Sequence, residues 1–436
     1  MACDGGAVRA LTRYVSHGSQ AIIPLILMLG CCMMLVMPAS GRTLFYNISA
    51  LAFLAFPVLA VRRALVMPDR CAWLLLAPCL VFVLLRGLWL ALQTPPLDSA
   101  LQQVAYSYQY SVKIWLCGIP LWLLMLCHNQ RPVIPEWLMP VVAVVISLLL
   151  SGMTLQAWHE AHGGRVALGT LYATGFAYLL AAMHALALLL LYPLRMRSWH
   201  WLALLLLVGL QLLSIIATGT RAAMLVYLLY VGCLFHWRLG RRYGWKVYAF
   251  AVLVLLSVSW LGRGMLEGRI QEARADLQAY QQGNAGTSLG IRFSLWDGGW
   301  RAASAHPWGQ SIESRDQLFN KLVKEGSLNP AVLEMRSVHL HHEWLEILSL
   351  QGVPGALSWL AVLMGWAWFG YRRGGFAGRF MLLYIGFWFL FGLSDVMLLS
   401  PQIVMFSMMF AALGLYWSNT VDVPKNSQSH WPHKLK

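Results

Sequence analysis

Long apolar runs fill most of the chain, and one polar segment interrupts them late in the sequence. A helix needs about 20 apolar residues to cross the hydrocarbon core of a bilayer. The 436 residues contain twelve runs near that length, at roughly 20–40, 44–61, 72–92, 112–127, 137–156, 167–192, 200–218, 221–237, 247–262, 344–370, 380–397 and 402–417. This pattern predicts an all-α polytopic membrane protein with about twelve transmembrane helices. No convincing small-residue cleavage site follows the first run, so we interpret it as a retained helix.

The polar segment 263–342 also has helical periodicity. Its first part repeats apolar residues every three or four positions, with charged residues between them, at Leu266, Ile270, Ala273, Leu277 and Tyr280. That spacing predicts an amphipathic helix on the membrane surface or across the bundle. A second helical stretch, from about 291 to 305, ends at His306-Pro307-Trp308-Gly309. We therefore divide the chain into nine spans (1–262), a large helical loop (263–343), three spans (344–417) and a disordered tail (418–436).

Composition agrees with a membrane protein, and charge indicates its orientation. Charged residues make up 11% of the chain, whereas soluble domains carry about a quarter. The net charge of +15 would suit a nucleic-acid-binding protein, but 18 of the 32 lysines and arginines fall in alternate connections and the two termini. The short connections on the other side carry only Arg42, Lys113, Arg165 and Arg221. Because basic residues accumulate on the cytoplasmic side, we expect cytoplasmic termini, an external segment 263–342 and no nucleic-acid partner.

The sequence lacks the motifs of several common types of catalytic and binding site. There is no Walker motif, no GxGxxG and no serine nucleophile elbow. None of the eight cysteines lies in segment 263–342, which excludes a disulfide framework and a thiolate metal site there. His339 and Glu343 have the i, i+4 spacing of metal ligands, but no His-Glu-x-x-His pattern occurs. We therefore predict no metal ion, and we interpret His184, inside the sixth span, as a packing histidine.

Three histidines, His339, His341 and His342, close the polar segment directly before an apolar span. That span contains Gly352-Val353-Pro354-Gly355, and its proline is expected to bend the helix. An imidazole at the mouth of a membrane helix suits a general base that works near neutral pH. An interfacial histidine cluster without chemistry fits the residue types equally well.

Three arginines are candidates for an anion site on the same outer face. Arg221 follows the turn Thr218-Gly219-Thr220, Arg292 lies early in the second loop helix, and Arg86 lies in the outer half of the third span. A guanidinium grips phosphate oxygens as a bidentate fork, and a helix start adds free N–H groups at Arg221. Such a site would suit an anionic lipid headgroup such as a pyrophosphate. The alternatives are an interfacial anchor for Arg221 and a solvated helix face for Arg292. For Arg86 they are a snorkelling side chain or a structural ion pair, with Asp395 as the candidate partner.

Taken together, in this order and on the same membrane face, these motifs resemble those of the O-antigen ligase family of membrane glycosyltransferases. The family pattern is His, then Asn, Ser or Gln, nine further residues, and Gly-x-x-Gly. His341 takes the first position and Gly352 and Gly355 the last two, while His342 stands where a small amide or hydroxyl residue is usual. Two of the family's functional arginines fall on Arg221 and Arg292. O-antigen polymerases and protein O-oligosaccharyltransferases share this pattern, so the resemblance covers them too.

The resemblance implies a GT-C-like fold in the bacterial inner membrane with a periplasmic active site. The implied reaction transfers O-antigen from undecaprenyl pyrophosphate to a hydroxyl of the lipid A–core, without a cofactor or metal. His341 would be the base of an inverting attack. The pyrophosphate would be held by Arg221 and Arg292, with Arg86 assisting, and the supporting residues would be His339, His342, Gly352 and Gly355.

A transporter of lipid-linked glycans is the alternative of another class. Buried charges in a transporter line a pathway, usually beside internal repeats and unwound helices near the midplane. Here the polar groups collect at one external mouth beside a large loop, which favours an enzyme.

Overall fold

The structure is a computed structural model. It describes residues 22–61, 68–93, 98–127, 135, 137–169, 172–191, 198–237, 252, 263–282, 284–335 and 338–420. Throughout these ranges the secondary structure is helical, joined by turns and short irregular segments, with no strand. The predicted all-α class is confirmed.

Eleven apolar helices in the described ranges correspond to eleven of the twelve predicted spans. Nine of them are long enough to cross a membrane. The eleven are α1 (Ile22–Val36), α2 (Pro38–Val61), α3 (Arg70–Ala91), α4 (Ser99–Cys127), α5 (Leu138–Glu160), α6 (Ala173–Leu191), α7 (Ser198–Ala217), α8 (Arg221–Phe235), α13 (Glu343–Arg373), α14 (Gly375–Gly392) and α15 (Pro401–Thr420). The predicted span 247–262 lies outside the described residues apart from Val252. The tail predicted from 418 begins with three further helical residues, and its remainder is likewise outside the described part.

The polar segment contains four helices. These are α9 (Arg263–Gln281), α10 (Ser288–Ala305), α11 (Ile312–Lys324) and the short α12 (Ala331–Glu334). The first two match the predicted helices. The last two pack with α10 around an apolar core of their own, formed by Leu295, Ala302, Phe319, Leu328, Val332 and Leu340. The segment is therefore folded, and its core includes a residue of the histidine stretch.

Helix α4 begins at Ser99, well before the predicted residue 112. Its first three turns are too polar to be recognised as part of a membrane span. They nevertheless carry an apolar stripe, Leu101, Val104 and Tyr108, which is buried against Ile312 of α11 and Leu350 of α13. This stripe carries α4 past the bundle and brings Tyr108 to the loop.

Aromatic side chains fill the centre of the bundle, where α13 crosses its neighbours. The ring of Trp359 in α13 lies 5.2 Å from Phe82 of α3, 6.3 Å from Trp115 of α4 and 5.5 Å from Trp388 of α14. The pairs with Trp115 and Trp388 are edge-to-face and the pair with Phe82 is tilted, and such contacts stabilise a core beyond the area that they bury. The helix that carries the histidine stretch at its start is thus fixed by three other helices.

His184 lies fully buried among polar side chains of α5 and α7. Its Nδ1 is 2.9 Å from the hydroxyl of Ser147, and its Nε2 is 3.0 Å from the hydroxyl of Ser214. Gln211 donates to Ser147 over 2.7 Å and accepts from Tyr227 of α8. Because both ring nitrogens have partners, the interpretation of His184 as a packing histidine agrees with the structure.

Candidate active site

The histidine stretch forms a tight turn immediately before α13. His341 has a φ of +50°, a left-handed conformation that is uncommon outside glycine. Its backbone N–H donates to Nδ1 of His339 over 3.2 Å, and the two rings are 4.5 Å apart. The turn therefore gathers two of the three predicted histidines into one cluster.

Asp395 completes this cluster from the turn that follows α14. Its Oδ1 lies 3.3 Å from Nδ1 of His341 and 3.6 Å from Nε2 of His339, and it accepts the backbone N–H of Val396 over 2.9 Å. Burial by itself favours the protonated acid, but the hydrogen bond from His341 and the nearby imidazoles outweigh it and lower the pKa of Asp395. Asp395 is thus ionised at neutral pH.

An ionised Asp395 determines which imidazole nitrogens carry protons. A carboxylate only accepts, so Nδ1 of His341 is assigned the proton and Nε2 keeps a lone pair. Nδ1 of His339 already accepts a backbone N–H, which places the proton of His339 on Nε2. Burial lowers the pKa of His339, so its ring is neutral at pH 7. His341, whose side chain is 24% exposed, therefore offers Nε2 as a base that a substrate can reach.

His342 has a different role from its neighbours. It is the N-cap of α13, where its Nδ1 accepts the backbone N–H of Leu345 over 3.4 Å. Its ring meets Trp296 of α10 edge-on, with centroids 5.5 Å apart. His342 therefore caps the start of α13 and packs against α10 of the loop.

Glu346 fixes the backbone of the histidine turn at Leu340. Its Oε2 accepts the backbone N–H of Leu340 over 2.9 Å, and its Oε1 accepts the hydroxyl of Tyr108 over 2.8 Å. Arg315 of α11 forms an ion pair with the same carboxylate at 3.1 Å and donates to the hydroxyl of Ser349 over 2.9 Å. All of these side chains are buried. One carboxylate therefore connects the turn, the extended α4 and the loop.

A second buried carboxylate, Glu343, fixes the segment that follows Asp395. Its Oε2 accepts the backbone N–H of Leu398 over 3.0 Å, within the 3₁₀ turn Met397–Leu399. Its other oxygen has no hydrogen-bond partner in the described part of the chain. The two acidic residues in the first turn of α13 thus position both sides of the cluster.

The predicted bend in α13 lies at Gly352, two residues before Pro354. Gly352 has φ +65° and ψ −164°, which breaks the helix into two parts. The predicted loop element His306-Pro307-Trp308-Gly309 packs across this break: Val353 N–H donates to the Pro307 carbonyl over 2.8 Å. On the other side, Gln310 N–H donates to the Leu350 carbonyl over 2.8 Å. The loop therefore satisfies the backbone groups that the break leaves open.

Both glycines of the motif are explained by close packing. A Cβ on Gly352 would lie 2.4 Å from the backbone nitrogen of Gly309. A Cβ on Gly355 would lie 2.4 Å from Cβ of Gln351 and 3.2 Å from Ile347. These glycines support the site through its backbone and do not touch the cluster.

The predicted anion-binding arginines Arg221 and Arg292 lie on two different elements, α8 and α10. Arg292 is half-buried on α10, where it acts electrostatically on Tyr178 together with Asp395. Tyr178 in turn hydrogen-bonds Ser394 over 3.2 Å. Arg292 makes no hydrogen bond or ion pair with the part of the chain that the structure describes. Arg221, at the start of α8 as predicted, forms an exposed ion pair with Glu272 of α9 at 3.6 Å.

Arg86 occupies a separate position in the bundle. It is 1% exposed, donates to the hydroxyl of Ser111 over 3.4 Å, and lies over the ring of Tyr108 at 4.7 Å. The acidic residues that act on it are Glu343 and Glu346, not Asp395, which bonds the histidines instead. The suggested pairing of Arg86 with Asp395 is therefore wrong, because Asp395 lies in a turn beyond the end of α14.

His339, His341 and Asp395 also have a spacing that suits a metal ion. One ligand atom from each lies within 4.8 Å of the other two. The sequence prediction of no metal used cysteine positions, the missing His-Glu-x-x-His pattern and helical spacing, and the turn brings together three ligands that none of these reveals.

Sequence comparison identifies related proteins. A sequence model of the O-antigen ligase family matches residues 206–360, a stretch that includes Arg221, Arg292, His341 and both glycines of the motif. An O-antigen ligase of Escherichia coli K12 is 27% identical over 316 residues, covering 70% of this chain and 72% of that protein. An uncharacterized protein of Haemophilus influenzae is 28% identical over 101 residues, 23% of this chain and 25% of that protein.

Proposed function

We propose that the chain is a member of the O-antigen ligase family, which the matching sequence model and the Escherichia coli relative support, and that it transfers O-antigen from undecaprenyl pyrophosphate to a hydroxyl of the lipid A–core. The observation that carries this proposal is the His341–Asp395 pair, an oriented base at the outer end of a membrane helix. The enzyme would lie in the bacterial inner membrane, with the loop in the periplasm and both termini in the cytoplasm. Its partners would be the two lipid-linked glycans and the surrounding membrane lipids.

In this mechanism His341 acts on the acceptor. Its Nε2 takes the proton of the acceptor hydroxyl as that oxygen attacks the anomeric carbon of the donor sugar. The new carbon–oxygen bond forms as the bond to the pyrophosphate oxygen breaks, and the electron pair leaves with the pyrophosphate. Asp395 orients the imidazole and stabilises the imidazolium that results, the arrangement known from serine hydrolases. The attack inverts the anomeric centre, because acceptor and leaving group lie on opposite faces of the sugar.

The arginines stabilise the departing pyrophosphate. Arg292 has no competing partner in the described ranges, so a phosphate does not have to displace one. The ion pair of Arg221 with Glu272 is exposed on both sides, 40% and 54%, and such pairs contribute about 0–1 kcal/mol. Arg221 can therefore give up its ion pair with Glu272 for a doubly charged substrate at little cost in free energy. Arg86 is buried, so it would stabilise the pyrophosphate through the electric field of its positive charge and not by direct contact.

The proposal is tested by reconstituting the protein in liposomes with lipid-linked donor and core acceptor. We expect His341→Ala to reduce transfer by about 10²- to 10⁴-fold, with donor binding retained. His339→Ala should have a milder effect, because in this mechanism its ring supports the turn and Asp395 and takes no proton from the acceptor. Full activity in His341→Ala would refute the assignment of the base.

The same assay addresses metal dependence and reaction class. We expect EDTA to leave the rate unchanged, and inhibition that zinc reverses would make the histidine–aspartate cluster a metal site instead. A deletion strain that keeps intact core and accumulates lipid-linked polymer would indicate a ligase. Core that carries a single repeat would indicate an O-antigen polymerase, and loss of a protein-linked glycan would indicate a protein O-oligosaccharyltransferase.

A further inference from the structure

A cavity of about 520 Å³ adjoins the histidine cluster, between the outer ends of α2, α4 and α15. His339 forms part of its wall, together with Tyr172, which precedes α6. Neither Arg221 nor Arg292 is among the residues that line it. The mechanism above leaves this space unused, although it reaches the catalytic cluster.

The lining has the chemistry of a saccharide site with one anionic contact. Gln103, Ser107 and Gln402 present amide and hydroxyl groups, which can both donate to and accept from sugar hydroxyls. Arg42 of α2 is exposed and has no ion pair with any residue in the described ranges. A guanidinium in this position can bind a phosphate or carboxylate on the sugar.

We propose that this cavity is the acceptor site: it binds the end of the core saccharide, and Arg42 pairs with an anionic group on that saccharide. This inference rests on the proposed transfer reaction. In an inverting displacement the attacking hydroxyl and the leaving group lie on opposite faces of the sugar ring. The donor's pyrophosphate is assigned to arginines outside the cavity, so the ligand that enters past His339 is the acceptor.

The test measures KM for each substrate separately in the reconstituted protein. Arg42→Ala is expected to raise KM for the core acceptor about tenfold, the loss of one charge-assisted hydrogen bond. Gln402→Ala removes a neutral hydrogen bond and should raise the same KM about threefold. KM for the donor and kcat should stay near the wild-type values. Arg42→Lys should recover part of the loss, because it keeps the charge without the fork. Lys324→Ala, an exposed cation of α11 away from the cavity, is the matched control.

A second variant tests the space itself. The hydroxyl of Ser107 bonds only the carbonyl of Gln103 in its own helix, so Ser107→Trp should leave α4 folded while its ring fills the cavity. We expect weaker acceptor binding with unchanged binding of the lipid-linked donor. A photoreactive residue at position 107 should label the core glycolipid and not the donor.

The outcomes separate this proposal from the reaction on which it depends. A rise in donor KM, or labelling of the donor, would assign the cavity to the donor glycan and overturn the inference. Unchanged constants in Arg42→Ala and Ser107→Trp would overturn it as well. In both cases transfer would still require His341. Transfer independent of His341 would instead refute the mechanism.

Discussion

At the scale of single residues, the site depends on the histidine turn, whose contacts determine which ring nitrogen of His341 carries the proton. His341 takes a left-handed backbone conformation, and Asp395 from a distant turn holds its Nδ1–H. The motif spacing predicts His341 as the base. The sequence suggested Asp395 only as an ion-pair partner for Arg86. Fifty-four residues separate Asp395 from His341, and no local pattern predicts a contact over that distance.

Asp395→Asn tests the orientation of the base. The amide keeps the shape of the carboxylate, but it loses the charge and can turn its NH₂ towards His341. That would move the imidazole proton to Nε2 and remove the base. We expect kcat to fall by about 10²- to 10⁴-fold, as for the equivalent change in serine proteases, while KM for the donor stays similar. A rate near the wild type would show that the pair is only structural.

At the scale of elements, α13 is two helices joined at Gly352, with the loop packed across the joint. The sequence predicted a bend here from Pro354 and the flanking glycines. It did not predict that Pro307 and Gln310 would bond the open backbone groups. These partners lie 46 and 40 residues away along the chain, a distance that local periodicity does not reveal. Helix α11 and Arg315 were missed for a similar reason, because their partners are distant in sequence. Ile312 packs against α4 and α13, and Arg315 pairs with Glu346.

Gly352→Ala should destabilise this joint. The new Cβ meets the backbone of Gly309, and a left-handed φ costs an alanine about 1–2 kcal/mol. We expect lower thermal stability in detergent and a loss of transfer, because the histidine turn is built on the first part of α13. Gly386→Ala in α14 is the control, since nothing lies within 4 Å of its added Cβ. Equal melting temperatures in the two variants would contradict this account.

Arg315→Met tests the connection between the loop and α13. Glu346 would remain buried without its cation, a situation that typically costs about 3–5 kcal/mol. We expect a clear loss of stability, partly restored by adding Glu346→Gln. The amide removes the unpaired charge, keeps one acceptor oxygen for the backbone N–H of Leu340 and can donate its NH₂ to the hydroxyl of Tyr108. Arg301→Met breaks an exposed pair with Asp297 and should change stability by about 0–1 kcal/mol. An Arg315→Met variant as stable as Arg301→Met would remove Glu346 from its proposed role.

At the scale of the whole molecule, apolar periodicity predicted most of the bundle. Eleven of the twelve spans have helices in the described ranges, because a membrane helix must satisfy its backbone within its own segment. The prediction was less accurate at the helix ends beside the histidine turn and α11. There α4 starts early and α14 stops early, since both ends are shaped by contacts with the loop.

The orientation in the membrane is tested with reporter fusions. Basic residues lie beside the turn between α13 and α14, at Arg372 and Arg373, so we expect that turn to be cytoplasmic. A reporter active only outside the cytoplasm should work when inserted after Gly326, in an exposed turn of the loop, and fail after Gly374. The reverse pattern would place the histidine cluster on the wrong side for a periplasmic reaction.

The ion pair of Arg315 with Glu346 has a consequence for how substrates arrive. A loop fastened to the bundle by a buried charge pair cannot lift away as a lid in each catalytic cycle, because every opening would expose that pair. For the proposed reaction we therefore expect the site to stay open throughout the cycle, so that both glycolipids would reach it by lateral diffusion in the membrane. Turnover should then depend on the lipid concentration within the bilayer rather than on the volume of the surrounding water.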